Sequence, residues 1–153
     1  MAQDIIAVLN ALVALEAQLS ITAPVPVAVK KVWIYPPPEN VLLPDVPCCI
    51  NSWVFTSGWD NPQGQVRTQR YTVTMQLLAR DANFDRAWAI VSAFHPVWID
   101  LLGHNYRLGG ACAGMTLRGG TPTVDAATYD KLPHARLTEY VDVRLYDTFD
   151  FRG

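Results

Sequence analysis

Six side chains in this sequence could bind a metal ion or act as a nucleophile or base: Cys48, Cys49, Cys112, His95, His104 and His134. Zinc sites usually carry their ligands at short spacings such as Cys-x-x-Cys, and the sequence contains neither this spacing nor His-x-x-x-His. Cys48 and Cys49 are adjacent, and adjacent residues of a strand point to opposite faces of a sheet. The two thiols are therefore poorly placed to bind one ion, and the pattern predicts no metal site and no cofactor.

Cys112 is the candidate nucleophile, because it lies between glycines in the segment Gly110-Ala-Cys-Ala-Gly114. A thiol on such a loop, activated by a histidine, is an arrangement that cysteine-dependent enzymes use. We favour the simpler interpretation, a cysteine that fills a small gap in a turn, because no known local motif of a catalytic cysteine matches the segment. We predict that the protein is not an enzyme. The alternative is a small α+β enzyme or ligand-binding domain that uses Cys112.

The composition restricts the classes of partner. Half of the 153 residues are hydrophobic, 17% are charged and the formal net charge is −2. So few charges suggest that partners cover some apolar surface, and the absence of a basic block argues against a dedicated nucleic-acid-binding protein. Polar residues interrupt the apolar stretch over residues 4–21, so we predict no membrane-spanning helix and no membrane partner. The odd number of cysteines fits reduced thiols in a protein made in the cytoplasm.

Residue spacing predicts one α+β domain over residues 1–153, with two helices. Apolar residues at three- and four-residue steps predict an N-terminal helix from residue 5 to near residue 20. A central helix is predicted from residue 84, and Pro96 is expected to end or kink it near His95. A short further turn is expected before Gly103.

Strands are predicted where β-branched and aromatic residues alternate with polar ones. They cover residues 25–35, 48–57, 66–80 and 134–151, with short strands near Tyr106 and over residues 115–117. A run of glycine, proline, aspartate and asparagine separates the second strand from the third, so we expect a hairpin with a long tip. Consecutive strands joined by turns imply a mainly antiparallel sheet, with both helices packed against one face.

A proline-rich segment over residues 36–47 connects the first two predicted strands. Pro36, Pro37 and Pro38 favour polyproline II geometry and donate no backbone hydrogen bonds, which predicts a stiff arm held away from the sheet. The following residues are too apolar for a free linker. We therefore predict that the arm lies across another chain, and that its apolar contact residues are Val41, Leu42 and Leu43.

The last predicted strand carries a second candidate contact surface. Its aliphatic face holds Leu137, Val141, Val143 and Leu145, and its other face holds Thr138, Tyr140, Asp142, Arg144 and Tyr146. Tyrosine and arginine are enriched in the centres of protein interfaces. We hypothesise that Tyr140, Arg144 and Tyr146 contact a partner, as does Trp59 at the hairpin tip. The alternative is an ordinary solvated sheet face, stabilised by its aromatic pairs.

Four segments occur in an order that resembles a known family. They are the N-terminal amphipathic helix, a hairpin ending in YTVTMQLLARD, the helix NFDRAWAIVSAF and the closing strand RLTEYVDVRLYDTF. This order resembles the tail terminator, or tail completion, proteins of long-tailed bacteriophages, and more loosely the neck and head–tail joining proteins. The resemblance covers most of residues 3–150 and lies in pattern and order, because the family has no catalytic signature.

The resemblance implies a structural virion protein in the tail or neck. Such proteins form a homo-oligomeric ring, usually a hexamer, that caps the tail tube and joins it to the head. The implied partners are other copies of the chain, the tail tube protein and the head–tail connector or stopper protein. DNA would pass nearby without sequence-specific binding. A head–tail stopper or a minor tail protein is the alternative within this class.

Overall fold

Two helices lie against one face of a six-stranded sheet in the computed structural model, which describes residues 3–38, 43, 45–57, 66–117 and 123–148. The helices are α1 (Ile5–Glu16) and α2 (Phe84–His104), and a 3₁₀ turn covers Leu108–Gly110. The strands are β1 (Ser20–Ile21), β2 (Val27–Ala28), β3 (Lys31–Trp33), β4 (Cys48–Ser57), β5 (Val66–Ala79), β6 (Gly114–Leu117), β7 (Thr123–Tyr129) and β8 (Leu132–Thr148). The predicted α+β class is confirmed.

The strand order of the large sheet is β3-β4-β5-β8-β6, and β7 pairs with the first half of β8. β4 and β5 form the predicted antiparallel hairpin, and β5 pairs with β8 in antiparallel register. β1 and β2 form a separate two-stranded ribbon. The predicted strand over residues 25–35 is thus divided between β2 and β3. β3 pairs with β4 in parallel, contrary to the antiparallel expectation, because the long connection returns the chain to the same end of the sheet.

The helices cover one face of the sheet because their apolar side chains repeat at helical spacing. Asp4 caps α1 by accepting a hydrogen bond from the Ala7 N–H at 2.8 Å. The α1 and α2 side chains and alternate residues of β5 and β8 form the main core, which includes Val8, Leu9, Leu12, Val91, Phe94, Trp98, Val73, Met75, Leu77, Leu137, Val141, Val143 and Leu145. We call this side of the sheet the covered face and the opposite side the open face.

Pro96 was expected to end or kink the second helix near His95, and it does not end the helix, because α2 continues to His104. A proline inside a helix costs about 3 kcal/mol through its missing N–H and its clash with the preceding turn. Trp98 and Leu102 lie beyond the proline and are buried in the main core. Burying two such side chains contributes roughly 1.5–3 kcal/mol each, which offsets that cost. Pro96 itself is exposed.

Two further differences follow the second helix. The predicted strand near Tyr106 is absent from the described residues, and the chain forms the 3₁₀ turn there. β6 appears where a short strand was expected, but β7 was not predicted. A tight turn at Asp130 and Lys131, both with positive φ, joins β7 to β8.

The proline-rich segment returns to its own sheet, so the prediction of an arm held away from the sheet is wrong at the described positions. Pro37 is buried, and Leu43 is only 1% exposed. Leu43 packs on the open face in a second core cluster with Cys48, Ile50, Leu78, Ala127 and Tyr129. The prediction that Leu43 contacts another chain is therefore wrong, because its own strands already cover it. Val41 and Leu42 lie outside the described residues.

Candidate assembly surface

The open face of β8 carries the three residues that the sequence singled out. Tyr140, Arg144 and Tyr146 are all exposed, whereas Val141, Val143 and Leu145 between and beside them are buried on the covered face. The predicted division of this strand into an aliphatic face and an aromatic, basic face is confirmed. Contact of the three residues with a partner stays a prediction. Trp59 lies outside the described residues.

β8 is held in place along its length, which fixes these side chains. It is an interior strand, bonded to β5 on one side and to β6 and β7 on the other. Near its end, the Tyr146 N–H donates to Gln3 Oε1 at 2.9 Å and the Gln3 N–H donates to the Tyr146 carbonyl at 3.0 Å. The segment that leads into α1 therefore anchors the part of β8 that presents Tyr146.

A cleft on the open face surrounds Arg144. It has a volume of about 510 Å³ and is lined by Thr56, Arg70, Thr72, Thr116, Asp142, Val143 and Arg144. Arg70 of β5 lies directly opposite Arg144 of β8, so the two strands place two cations side by side. Asp142 is the carboxylate among the lining residues, and it accepts a hydrogen bond from Thr72 Oγ1 at 2.8 Å. We call this feature the arginine cleft.

Gly114 of β6 gives Arg144 the room that its side chain occupies. The two residues are register partners, and a methyl group added at Gly114 would lie 3.1 Å from Arg144 Nη2. Nη2 of the guanidinium group therefore lies close to the backbone of β6. No ion pair joins Arg144 to any carboxylate in the part of the chain that the structure describes.

The hairpin carries an aromatic cluster that sequence reasoning missed. Tyr71 makes edge contacts with Trp53 and Phe55, at ring-centroid distances of 5.5 Å and 5.3 Å. Trp53 and Phe55 remain 37% and 50% exposed, and Val54 on the other face of β4 is 63% exposed. The cluster could have been predicted from the sequence of Cys48–Ser57, because alternate residues of a strand share a face and Trp53 and Phe55 are two residues apart. We call Trp53, Val54 and Phe55 the hairpin patch.

A second aromatic pair lies on the first turns of α2. Phe84 and Trp88 are both exposed, and their ring centroids are 6.0 Å apart. Ala87, Val91 and Phe94 follow at helical spacing and are buried. The pair thus forms an outward apolar surface at the start of α2.

Cys112 is not placed to act as a nucleophile. The residue is 2% exposed, and its Sγ donates a hydrogen bond to the Tyr106 carbonyl at 3.6 Å. Burial raises the pKa of the thiol to about 11, so it stays protonated at neutral pH. The other two thiols are also buried, Cys48 in the second cluster and Cys49 in the main core. Within the described ranges, no group of three or more His, Cys, Asp or Glu side chains could hold a metal ion.

Two carboxylates are buried between the helices and the sheet, and the sequence analysis did not identify them. They belong to Glu16, the last residue of α1, and to Glu139 of β8. Asn51 Nδ2 donates to Glu16 Oε2 at 2.8 Å and to the Trp33 carbonyl at 3.0 Å. Burial, partly offset by this hydrogen bond, raises the pKa of Glu16 to about 8. Glu139 contacts His95 Nδ1, and burial raises its pKa as well, against the opposing effect of the His95 hydrogen bond. These groups tie α1 and α2 to the sheet.

Comparisons with protein families and with curated proteins identified no relative of this chain. No protein-family model matches the chain, and no curated protein is significantly similar to it. Neither of the described helices is both long and apolar enough to cross a membrane.

Proposed function

We propose that this protein is a structural subunit of a homo-oligomeric ring in a phage virion, where it closes the tail tube and joins it to the head–neck connector. The number of subunits, six, and the position in the virion come from the resemblance of its segment order to tail terminator proteins. The exposed apolar surfaces of the structure support the self-assembly of the chain, which is the first part of this proposal.

The hairpin patch is the observation that carries the proposal. Trp53 and Phe55 are exposed on one face of β4, and Val54 is exposed on the other. An antiparallel sheet usually leaves one face of a strand polar, so exposed apolar side chains on both faces of one hairpin indicate that other chains cover them. The aromatic pair on α2 and the tyrosines of the open face provide further surfaces of the type found in interface centres.

The enzyme alternative is not supported by the surroundings of Cys112. Its thiol is buried, its pKa is raised and its hydrogen bond goes to a backbone carbonyl. A nucleophilic cysteine needs a lowered pKa and an approach for the substrate. We therefore put forward no second function.

The first test measures self-assembly of the whole chain. Size-exclusion chromatography with light scattering should give one species at a multiple of the 17.0 kDa chain mass, near six, and negative-stain images should show rings. A Val54→Thr, Phe55→Ser variant should assemble at least tenfold more weakly. Tyr106→Ser, which removes an exposed aromatic ring elsewhere, should assemble normally. A wild-type chain that stays monomeric would refute the proposal.

A second test separates a tail terminator from a stopper or a minor tail protein. Purified rings are mixed with assembled tail tubes of the same virus and imaged. A terminator should bind at one end of each tube and stop its growth. Binding to the connector alone would assign the ring to the neck, and binding along the tube would contradict both positions.

A further inference from the structure

We propose that neighbouring copies join when the start of α2 on one copy docks into the arginine cleft of the next, so that Asp85 pairs with Arg144. This inference rests on the proposed self-assembly and specifies which two surfaces meet. The ligand of the cleft is then a protein carboxylate, which a second copy of this chain supplies.

The receiving surface has a cation that the described chain does not neutralise. Arg144 extends over Gly114 and has no ion-pair partner in the described ranges, and the nearby Asp142 accepts a hydrogen bond from Thr72. A carboxylate that enters the cleft would supply the counter-charge that Arg144 lacks, and guanidinium groups bind carboxylates with two parallel hydrogen bonds.

The donating surface combines an exposed acid with exposed aromatic rings. Asp85 follows the N-cap Asn83, whose side chain accepts from the Asp85 N–H at 3.0 Å. The Asp85 carboxylate has no ion pair in the part of the chain that is described, whereas nearby Asp81 lies 4.0 Å from Arg86. Phe84 and Trp88 are one helical turn apart, and Trp88 is three residues from Asp85. Trp88 therefore lies beside the Asp85 carboxylate, because residues three and four apart on a helix are neighbours.

The two surfaces are complementary and lie on opposite sides of the sheet. Arg144 lines the cleft, and the exposed Tyr140 and Tyr146 lie on the same face of β8, two residues from the lining residues Asp142 and Arg144. The start of α2 carries the acid Asp85 together with the exposed rings of Phe84 and Trp88. α2 packs on the covered face and the cleft opens on the other. A contact between two different patches is heterologous, and such contacts close into a ring when the rotation between copies closes.

A nucleic-acid phosphate fits the cleft less well than a carboxylate. Asp142 lines the cleft and the chain carries a formal net charge of −2, so the successive phosphates of a nucleic-acid backbone would be repelled more strongly than a single carboxylate. Binding to a phosphate backbone depends on several cations that act together, whereas this cleft offers two arginines and one aspartate.

A charge exchange tests the pairing. Arg144→Glu and Asp85→Arg should each weaken assembly at least tenfold, because each puts like charges at every contact. The Arg144→Glu, Asp85→Arg double variant should assemble again. An equimolar mixture of the two single variants should also form rings, since each contact between unlike copies then pairs opposite charges. Light scattering measures the mass of each sample, and thermal unfolding confirms that the single variants are folded.

Asp100→Arg is the matched control, because Asp100 is an exposed acid near the other end of α2. This variant should assemble like the wild type. Wild-type rings with no restoration in either the double variant or the mixture would overturn the pairing and leave the proposed function intact. A monomeric wild type would overturn both. If Arg144→Glu assembles normally but loses salt-dependent binding to duplex DNA, the cleft binds phosphate instead.

Discussion

The two faces of β8 differ at every second residue, although one strand carries both. On the covered face, Leu137, Val141, Val143 and Leu145 are buried beneath the helices. On the open face, Tyr140, Arg144 and Tyr146 are exposed, and Arg144 lines a cleft. The difference separates two tasks: the covered face determines whether the chain folds, and the open face is free to determine what the folded chain binds. Substitutions on the two faces should therefore change different measurements.

Removing an aromatic ring from each side should give the largest contrast. Phe94→Ala deletes a fully buried ring from the covered side and should lower the free energy of unfolding by about 3–5 kcal/mol. Tyr140→Ala deletes an exposed ring from the open face and should lower it by less than about 1 kcal/mol. Denaturant unfolding measures both variants, at protein concentrations where each is monomeric. Equal losses would show that the open face contributes to folding as much as the core does.

The division between faces was predictable because alternation is a local property of the sequence. β4, β5 and β8 lie close to their predicted positions, and the residues on each face of β8 are those expected. The cleft was not predictable in the same way. It depends on the strand register that brings Arg70 and Gly114 beside Arg144. The register between strands that are distant in sequence cannot be predicted from the alternation of residues within one strand.

The elements that sequence reasoning misjudged depend on tertiary contacts or on unusual turns. Pro96 stays inside α2 because the main core holds the residues beyond it. Leu43 turns inward because an apolar part of the open face is available to cover. β7 escaped notice because Asp130 and Lys131 form its turn without the glycine that usually accompanies positive φ in a tight hairpin.

The buried carboxylate under α1 should make the covered face sensitive to pH. Glu16 Oε1 and Asn51 Oδ1 are buried, and neither has a hydrogen-bond partner among the described residues. A proton on Glu16 allows it to donate to an acceptor such as Asn51 Oδ1, while Asn51 Nδ2 donates back to Oε2. The unfolded chain loses this proton near pH 4.5, whereas the raised pKa keeps it on the folded chain to about pH 8.

Between these two values the folded state binds more protons than the unfolded state, so the free energy of unfolding falls as the pH rises. The contribution is complete below pH 4.5 and is lost by about pH 8. Since one pKa unit corresponds to about 1.4 kcal/mol, a shift from 4.5 to about 8 corresponds to a loss of roughly 5 kcal/mol over this window. Denaturant unfolding measured at intervals from pH 5 to 8.5 checks the direction and the size of the change.

Glu16→Gln should remove most of this pH dependence, because a neutral amide can accept from Asn51 Nδ2 and donate to Oδ1 at every pH. The raised pKa of Glu139 gives a contribution of the same sign. Glu139→Gln is therefore the matched control, and it should keep the part that belongs to Glu16. If Glu16→Gln loses stability with pH as steeply as the wild type, the proton is held elsewhere.

The smallest effect on folding should come from Gly114, where the open face meets the edge strand β6. A valine suits a strand but crowds Arg144 at this buried position, so Gly114→Val should change the free energy of unfolding by less than about 1 kcal/mol. Its side chain would occupy the space over which Arg144 extends, since even a methyl group would lie 3.1 Å from Nη2. The guanidinium group must then move while its charge is kept.

We expect self-association to weaken roughly tenfold, which corresponds to about 1.4 kcal/mol. Sedimentation of Gly114→Val beside Gly103→Ala, a glycine with open space around it, measures this effect. Unchanged association in Gly114→Val would mean that the position of the Arg144 side chain does not matter, and that its charge alone acts on the partner.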